Sequence, residues 1–324
     1  MKSNQNGDLE QFFPVSIYSI QPNKVNDFRI YIKRGNNYVL LTNKKEAFSL
    51  SQRDRLYNLN IETVYIPYNE AESYDRYLVE NLDKILYDEN IPLHERSKTF
   101  YNLATDLSYE VINEKLSSDY KFKDLLNVID QTIDFLSKPE NLASVRKLIS
   151  HDYYSYTHSV NVFVYSAFLL NQYNYDKKDI TYIGSGAFLH DIGKSLIPHH
   201  TLNKPGALNN KEWEIMKKHP EYGIEACSNL SLSYKTKFVI RNHHEKLDGE
   251  GYPDRIKKIP HYVQIVTCCD IFDALTTNRV YANKRSPFEA FKLMKDKMHK
   301  QINLDILATF IKFMGKSPET VHSE

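Results

Sequence analysis

The chain is short of several residue types, and each shortage excludes a class of protein. Only three of its 324 residues are cysteines, which is too few for a disulfide framework and is typical of a reducing compartment. Glycine and proline are scarce, at 10 and 12 residues, so a fibrous or loop-dominated protein is excluded. Basic and acidic residues balance at 42 and 41, so no positive field for coating DNA or RNA is expected.

Long hydrophobic runs are lacking as well. No stretch approaches the ~20 apolar residues of a membrane-spanning helix, and the polar residues 1–7 have no apolar run behind them. We therefore expect a cytoplasmic protein with neither a membrane segment nor a DNA partner. What is present is an ordinary globular composition, 41% hydrophobic and 26% charged, in a chain long enough for two domains.

The first part of the chain is patterned as mixed α and β. Strands are predicted over residues 12–20, 29–32, 38–41 and 63–66, with a hairpin turn at Gly35-Asn36-Asn37 and a short helix over 51–59. Nothing in residues 1–70 indicates a ligand, and the aromatic side chains there are expected to be core residues, among them Tyr18, Tyr31, Tyr38 and Tyr65.

Beyond about residues 70–95 the apolar spacing becomes helical. We therefore predict a mostly α protein, in which a small α/β domain precedes an all-helical domain. The predicted division is a regulatory α/β domain over 1–90, a helical linker over 91–150 and a metal-dependent domain over 151–324. A capping box at Asn209 and Glu212 predicts a helix that carries Trp213, Met216 and His219.

Side chains of metal-binding type are numerous in the second half. Seven of them stand out: His158, His190, Asp191, His219, His243, His244 and Asp270. Imidazole and carboxylate are ligands for borderline divalent ions such as iron, manganese or zinc, and a carboxylate can bridge two ions. A lone histidine or a single His-Asp pair is a weak signal, because the chain has other histidines, so the surrounding motifs decide.

Those motifs resemble the HD-GYP family of the HD superfamily. Ala-Phe-Leu-His-Asp-Ile-Gly-Lys begins at Ala187, Asn-Lys-Pro-Gly at Asn203 and His-Pro-Glu-Tyr-Gly at His219. His-His-Glu-Lys-Leu-Asp-Gly-Glu-Gly-Tyr-Pro follows from His243, and Asp-Ile-Phe-Asp-Ala-Leu-Thr from Asp270. The complete set in family order covers roughly residues 150–310, about half of the chain.

The resemblance implies an all-helical phosphodiesterase that opens cyclic di-GMP to pGpG and on to GMP at two metal ions. One ion would be held by His158, His190, Asp191 and Asp270. The other would be held by Asp191 as the bridge, His219, His243 and His244. A hydroxide between the ions would be the nucleophile, and Lys194, one turn beyond the catalytic Asp191, would neutralise a phosphate oxygen. The ions would be iron or manganese, and zinc suits the same ligands.

The Gly251-Tyr252-Pro253 loop holds no strong metal ligand. Its glycine permits backbone angles that other residues avoid, and its proline favours an extended tyrosine. Either the loop supports the His243-His244 segment or it meets a protein partner, and the residues leave both open. A homodimer formed through residues 97–150 is a further hypothesis.

The chain departs from the family pattern at two places. Tyr154 stands where some members have a glutamate for a third metal, so we expect a dinuclear site. Arg279 remains as a substrate contact, but Ala282 replaces a second basic residue, which costs about 1.5–3 kcal/mol of binding if nothing compensates. The alternatives are therefore a weak or inactive cyclic di-GMP receptor or scaffold, and an HD phosphohydrolase of another cyclic or linear nucleotide.

Overall fold

The computed structural model describes residues 11–113, 119–149, 155–277 and 285–315. It divides the chain into two compact units, residues 1–103 and 104–324. The expectations that concern Tyr154, Arg279 and Ala282 lie outside the described residues. Within the described ranges, no helix is both long enough and apolar enough to cross a membrane.

The first unit is built on an antiparallel sheet. Its strands are β1 (Phe12–Ser16), β2 (Ile30–Arg34), β3 (Asn37–Thr42) and β4 (Thr63–Pro67). Its helices are α1 (Leu50–Asn58), α2 (Ala71–Tyr87) and the start of α3 (Leu93–Asn113). The spatial order of the strands is β1-β4-β2-β3, so β2 and β3 form the predicted hairpin. The strand predicted over residues 12–20 is too long, because Ser16 accepts a hydrogen bond from the Tyr18 N–H and starts a 3₁₀ turn.

Successive side chains of each strand point to opposite faces of the sheet, and one of these faces is buried while the other is partly exposed. Ile30, Ile32 and Ile66 point to the buried face. The opposite face carries Phe12, Tyr31, Tyr38 and Tyr65, with the Phe12 ring stacked 4.1 Å from that of Tyr38. The expectation of core tyrosines is therefore correct for Tyr18 and wrong for the other three, because strand alternation places them on the partly exposed face.

The second unit is helical, and with the small sheet unit it confirms the predicted fold class. Its helices are the remainder of α3, α4 (Asp119–Ser137), α5 (Pro139–Leu148), α6 (Ser155–Gln172), α7 (Lys177–Leu189), α8 (His199–Leu202), α9 (Asn210–Met216), α10 (His219–Ala226), α11 (Tyr234–Asn242), α12 (His261–Thr276), α13 (Pro287–Met298) and α14 (Leu304–Gly315). Helix α6 packs against α4, α7 and α12. In the core of this unit, the buried Phe272 ring lies 4.5 Å from the Phe291 ring and 4.8 Å from the Phe310 ring.

The capping box at Asn209 and Glu212 is present, but the helix it starts is shorter than predicted. Helix α9 ends at Met216, and His219 begins the separate helix α10. Pro220 is the reason, because it has no N–H with which to continue the hydrogen-bond ladder of α9, whereas proline is tolerated in the first turn of a new helix. His219 therefore lies at the junction of two helices.

Candidate metal centre

The structure brings all seven predicted ligand residues to one place. His158 comes from α6, His190 and Asp191 from the end of α7, and His219 from the start of α10. His243 and His244 follow the end of α11, and Asp270 lies within α12. These side chains form two ligand groups, in each of which one donor atom per residue lies within 4.8 Å of the others. One group consists of Asp191, His219, His243 and His244. The other consists of His158, His190 and Asp191.

Asp191 is common to both groups and turns one oxygen towards each. Its Oδ2 lies 3.3 Å from His190 Nε2 and 3.7 Å from His158 Nε2. Its Oδ1 lies 3.3 Å from His219 Nε2. The side chain is only 2% exposed, and Oδ1 has no hydrogen-bond partner among the described residues. A buried carboxylate oxygen without a partner is costly, and a cation would satisfy it.

Asp270 also lies between the groups. Its Oδ1 is 3.1 Å from His158 Nε2 and 3.9 Å from His190 Nε2, and its Oδ2 is 3.8 Å from His244 Nδ1. Burial would raise the pKa of Asp270, but its close contact with His158 and the other imidazoles around it lower that pKa, so the group is a carboxylate at neutral pH.

Backbone carbonyls fix the tautomers of three histidines. Nδ1 of His190 lies 2.7 Å from the Ala187 carbonyl, and Nδ1 of His219 and of His243 each lie 2.9 Å from the carbonyl three residues earlier. A carbonyl oxygen only accepts, so each Nδ1 carries a proton, and in the neutral form of such a ring Nε2 presents a lone pair. Burial lowers the pKa of His219 to about 4 and holds the pKa of His243 well below its usual value, so these rings are neutral at pH 7.

The Nε2 atoms of the clustered histidines lie close together in pairs. His219 Nε2 is 3.1 Å from His243 Nε2, and His190 Nε2 is 3.2 Å from His158 Nε2. Two acceptors at that separation repel unless a cation lies between them. Two nitrogens that bind one divalent ion at about 2.1 Å are themselves roughly 3.0–3.4 Å apart, which is the spacing found here. The cluster is compatible with a dinuclear metal site.

Lys194 faces the cluster, as its position relative to Asp191 predicts. It lies in the 3₁₀ turn Ile192–Leu196, and its Nζ is 2.5 Å from Asp191 Oδ2. Burial would raise the pKa of Asp191, but the Lys194 ammonium and the nearby imidazoles hold it well below the usual range. The chain thus places a half-buried cation at the edge of the cluster.

Asp273 is a site residue that the sequence reasoning missed. Its Oδ2 lies 2.7 Å from His158 Nδ1, and its Oδ1 accepts a hydrogen bond of 3.0 Å from the Asn161 amide. The aspartate therefore fixes the ring of His158 as the carbonyls fix the other three. The available signal was its position one helical turn after Asp270 in the same sequence block.

The Gly251-Tyr252-Pro253 loop packs against the segment that follows α11. A Cβ on Gly251 would lie 2.5 Å from Glu245 Cα, so only glycine fits this close approach. The Tyr252 ring lies 4.6 Å from the His244 ring, and burial raises the pKa of its phenol, which stays protonated and is a poor metal ligand. These contacts favour the supporting role for the loop, and a protein partner there stays a prediction.

Comparisons with known proteins agree with the motifs. Residues 148–306 match the family model described as HD domain. The cyclic di-GMP phosphodiesterase PA4108 of Pseudomonas aeruginosa is 30% identical over 198 residues, which are 60% of this chain and 47% of that protein. The 3'3'-cGAMP-specific phosphodiesterase 2 of Vibrio cholerae is 40% identical over 128 residues, which are 38% of this chain and 24% of that protein. The chain thus spans less than half the length of these relatives.

Among solved structures, Bd1817, an HDG"Y"P protein from Bdellovibrio bacteriovorus, has the same fold. It aligns with a TM-score of 0.66 over 94% of this chain and 100% of that chain, at 19% identity. The second unit therefore carries an HD domain, and these comparisons bear out the resemblance of the motifs to the HD-GYP family.

Proposed function

We propose that this chain is a metal-dependent phosphodiesterase of cyclic dinucleotides, with cyclic di-GMP as its substrate. The observation that carries the proposal is the convergence of imidazole Nε2 atoms on both sides of the shared carboxylate of Asp191. A similar relative named as a cyclic di-GMP phosphodiesterase supports the substrate.

The proposed ligand sets are those that the family resemblance implies. His158, His190, Asp191 and Asp270 would hold one ion. Asp191, His219, His243 and His244 would hold the other. Iron or manganese suits these nitrogen and oxygen donors, and zinc is compatible with them. When bound, the two ions supply Lewis acidity, which lowers the pKa of water and neutralises charge on a phosphate.

The chain's own residues contribute position and charge. Lys194, with its Nζ beside Asp191, neutralises a non-bridging phosphate oxygen as negative charge develops in the transition state. Asp191 keeps its carboxylate form because of the same lysine, so it remains a ligand throughout the reaction. Asp273 keeps the His158 ring in the orientation that turns Nε2 into the site.

A second candidate substrate is 3'3'-cGAMP, because a relative with 40% identity is named as specific for it. Both dinucleotides present the same phosphodiester and differ in one base, so the metal centre serves either. A receptor without turnover is the remaining alternative, and the sequence feature that favours it is Ala282, where a basic residue is missing.

The test is an anaerobic incubation of iron- or manganese-loaded protein with cyclic di-GMP and, in parallel, with 3'3'-cGAMP, followed by chromatography of the linear products. We expect pGpG and GMP from cyclic di-GMP, and no product from Asp191→Asn. The matched control is Asp296→Asn, an exposed carboxylate on α13, which should keep full activity. Binding of the intact dinucleotide without product would refute the enzyme and favour the receptor.

The other predictions from the sequence concern the rest of the chain. A homodimer, a regulatory role for residues 1–90 and a cytoplasmic location stay predictions.

A further inference from the structure

The chain has a single tryptophan, and it lies beside the candidate metal centre. Trp213 is on α9, where its side chain is 46% exposed. Its indole ring lies 6.4 Å from the Tyr252 ring at an interplanar angle of 76°. A large aromatic side chain that is half exposed next to a polar cluster leaves apolar surface open to a ligand.

Tyr252 connects this indole to the metal-binding histidines. The tyrosine ring lies 4.6 Å from the His244 ring at 30°, and 6.3 Å from the His219 ring. Only the Tyr252 ring therefore separates Trp213 from the ligand group of Asp191, His219, His243 and His244. This short path would let a nucleotide whose phosphate reaches that group place its base against the indole.

Hydrogen bonds at the start of helix α9 fix the backbone that carries the indole. The first turn of this helix is closed by the capping box of Asn209 and Glu212, and the same Glu212 carboxylate accepts a hydrogen bond of 2.6 Å from Lys204. A platform that is fixed before binding loses little conformational entropy when a base stacks on it.

We propose that Trp213 is a stacking platform for one purine base of the dinucleotide, with Tyr252 as the floor between the indole and the metal centre. The proposal rests on the proposed function, since it assigns a base site to the same centre. Stacking explains an exposed indole at this place, because a base has an apolar face that an aromatic ring covers. Stacking on Trp213 also allows the site to distinguish nucleotides from other phosphodiesters, which present no base.

Because Trp213 is the sole tryptophan, its fluorescence reports on this site alone when tyrosine is not excited. The first experiment titrates GMP into manganese-loaded protein and follows the tryptophan emission, with ribose 5-phosphate as the probe that has a phosphate but no base. We expect saturable quenching by GMP and no quenching by ribose 5-phosphate. GMP that binds by calorimetry yet leaves the emission unchanged would overturn the platform.

The second experiment measures hydrolysis of cyclic di-GMP by Trp213→Ala and Trp213→Phe. Loss of one stacked base should raise KM roughly 5- to 150-fold in the alanine variant, with kcat changed much less, and phenylalanine should restore most of the loss. The matched control is Tyr234→Ala, a 73% exposed aromatic at the first residue of α11, roughly 13 Å along the helix from His243.

The two proposals fail in different ways. A wild-type protein that turns over neither dinucleotide but shows GMP quenching refutes the phosphodiesterase and keeps the base site. A wild-type protein that turns over cyclic di-GMP, while Trp213→Ala has an unchanged KM, keeps the phosphodiesterase and refutes the base site.

Discussion

Gly193 controls where His219 lies. The 3₁₀ turn that follows Asp191 touches the start of α10 so closely that a Cβ on Gly193 would lie 2.0 Å from the His219 carbonyl oxygen and 2.3 Å from the Gly223 nitrogen. Both atoms belong to the backbone, so no side chain can rotate away. The replacement Gly193→Ala therefore has to separate the turn from α10 by about 1 Å.

Two quantities set the expected size of the effect, namely the cost of inserting a carbon into a packed interior and the displacement that a metal ligand tolerates. Inserting one carbon into a packed interior costs about 1–3 kcal/mol, and a clash with backbone belongs at the upper end. Metal ligands tolerate about 0.2 Å of displacement, so a shift of about 1 Å removes His219 from its ligand group. We expect the free energy of unfolding of the metal-free protein to fall by about 2–3 kcal/mol, and bound metal to fall from two ions per chain to one.

Two measurements check this, urea unfolding of the metal-free protein and elemental analysis after loading and desalting. The matched control is Gly315→Ala at the end of α14, where a Cβ would meet nothing within 4 Å, so stability and metal content should stay as in the wild type. Two ions per chain and unchanged stability in Gly193→Ala would refute the reasoning that α10 is positioned by this contact.

Three further substitutions test the centre and the first unit. Asp191→Asn should lose both ions by elemental analysis, because each carboxylate oxygen faces a different group of histidines. Asp273→Asn should weaken metal affinity about 10- to 100-fold in a chelator competition, because it leaves His158 without its carboxylate partner. Glu70→Gln should cost about 1.5–3 kcal/mol at pH 7 in urea unfolding, since the buried carboxylate accepts hydrogen bonds from the Arg29 N–H and guanidinium. Burial would raise the pKa of Glu70, but those bonds lower it below 4.5, so its stabilisation is present above pH 4.5 and is lost as the pH falls further.

Each of these three substitutions has a control variant and a result that would contradict the expectation. Asp296→Asn should keep both ions, and one ion left in Asp191→Asn would show that the carboxylate is not shared. Unchanged affinity in Asp273→Asn would mean that His158 needs no partner. Glu72→Gln, whose carboxylate is 84% exposed, should cost under about 0.5 kcal/mol at pH 7. A deficit in Glu70→Gln that is equally large at pH 3 would contradict a charge-dependent role.

The sequence predicted which side chains would lie together but not all of the elements that carry them. Residue type alone was a weak signal, and the resemblance of the surrounding motifs to the HD-GYP family implied the ligand set; the structure brings those side chains into one cluster. The end of α9 at Met216 was missed, since the capping box marks where a helix starts and the effect of Pro220 on the preceding turn was not weighed. Asp273 was missed for a different reason: its position one helical turn after Asp270 was visible in the sequence, but its role depends on a contact with α6 across 115 residues, which no local pattern contains.

The tautomers of the centre follow from where helices end. His190 and His243 are the residues after the last turns of α7 and α11, and His219 lies three residues after the end of α9, at the start of α10. The last carbonyls of a helix lack a helical N–H partner, and each of these rings donates Nδ1–H to the carbonyl three residues before it. The backbone thus satisfies its own unpaired acceptors and, by the same hydrogen bonds, turns three Nε2 lone pairs inward. The orientation of these three rings therefore follows from the carbonyls left unpaired near helix ends, whereas His158, within α6, is oriented by Asp273.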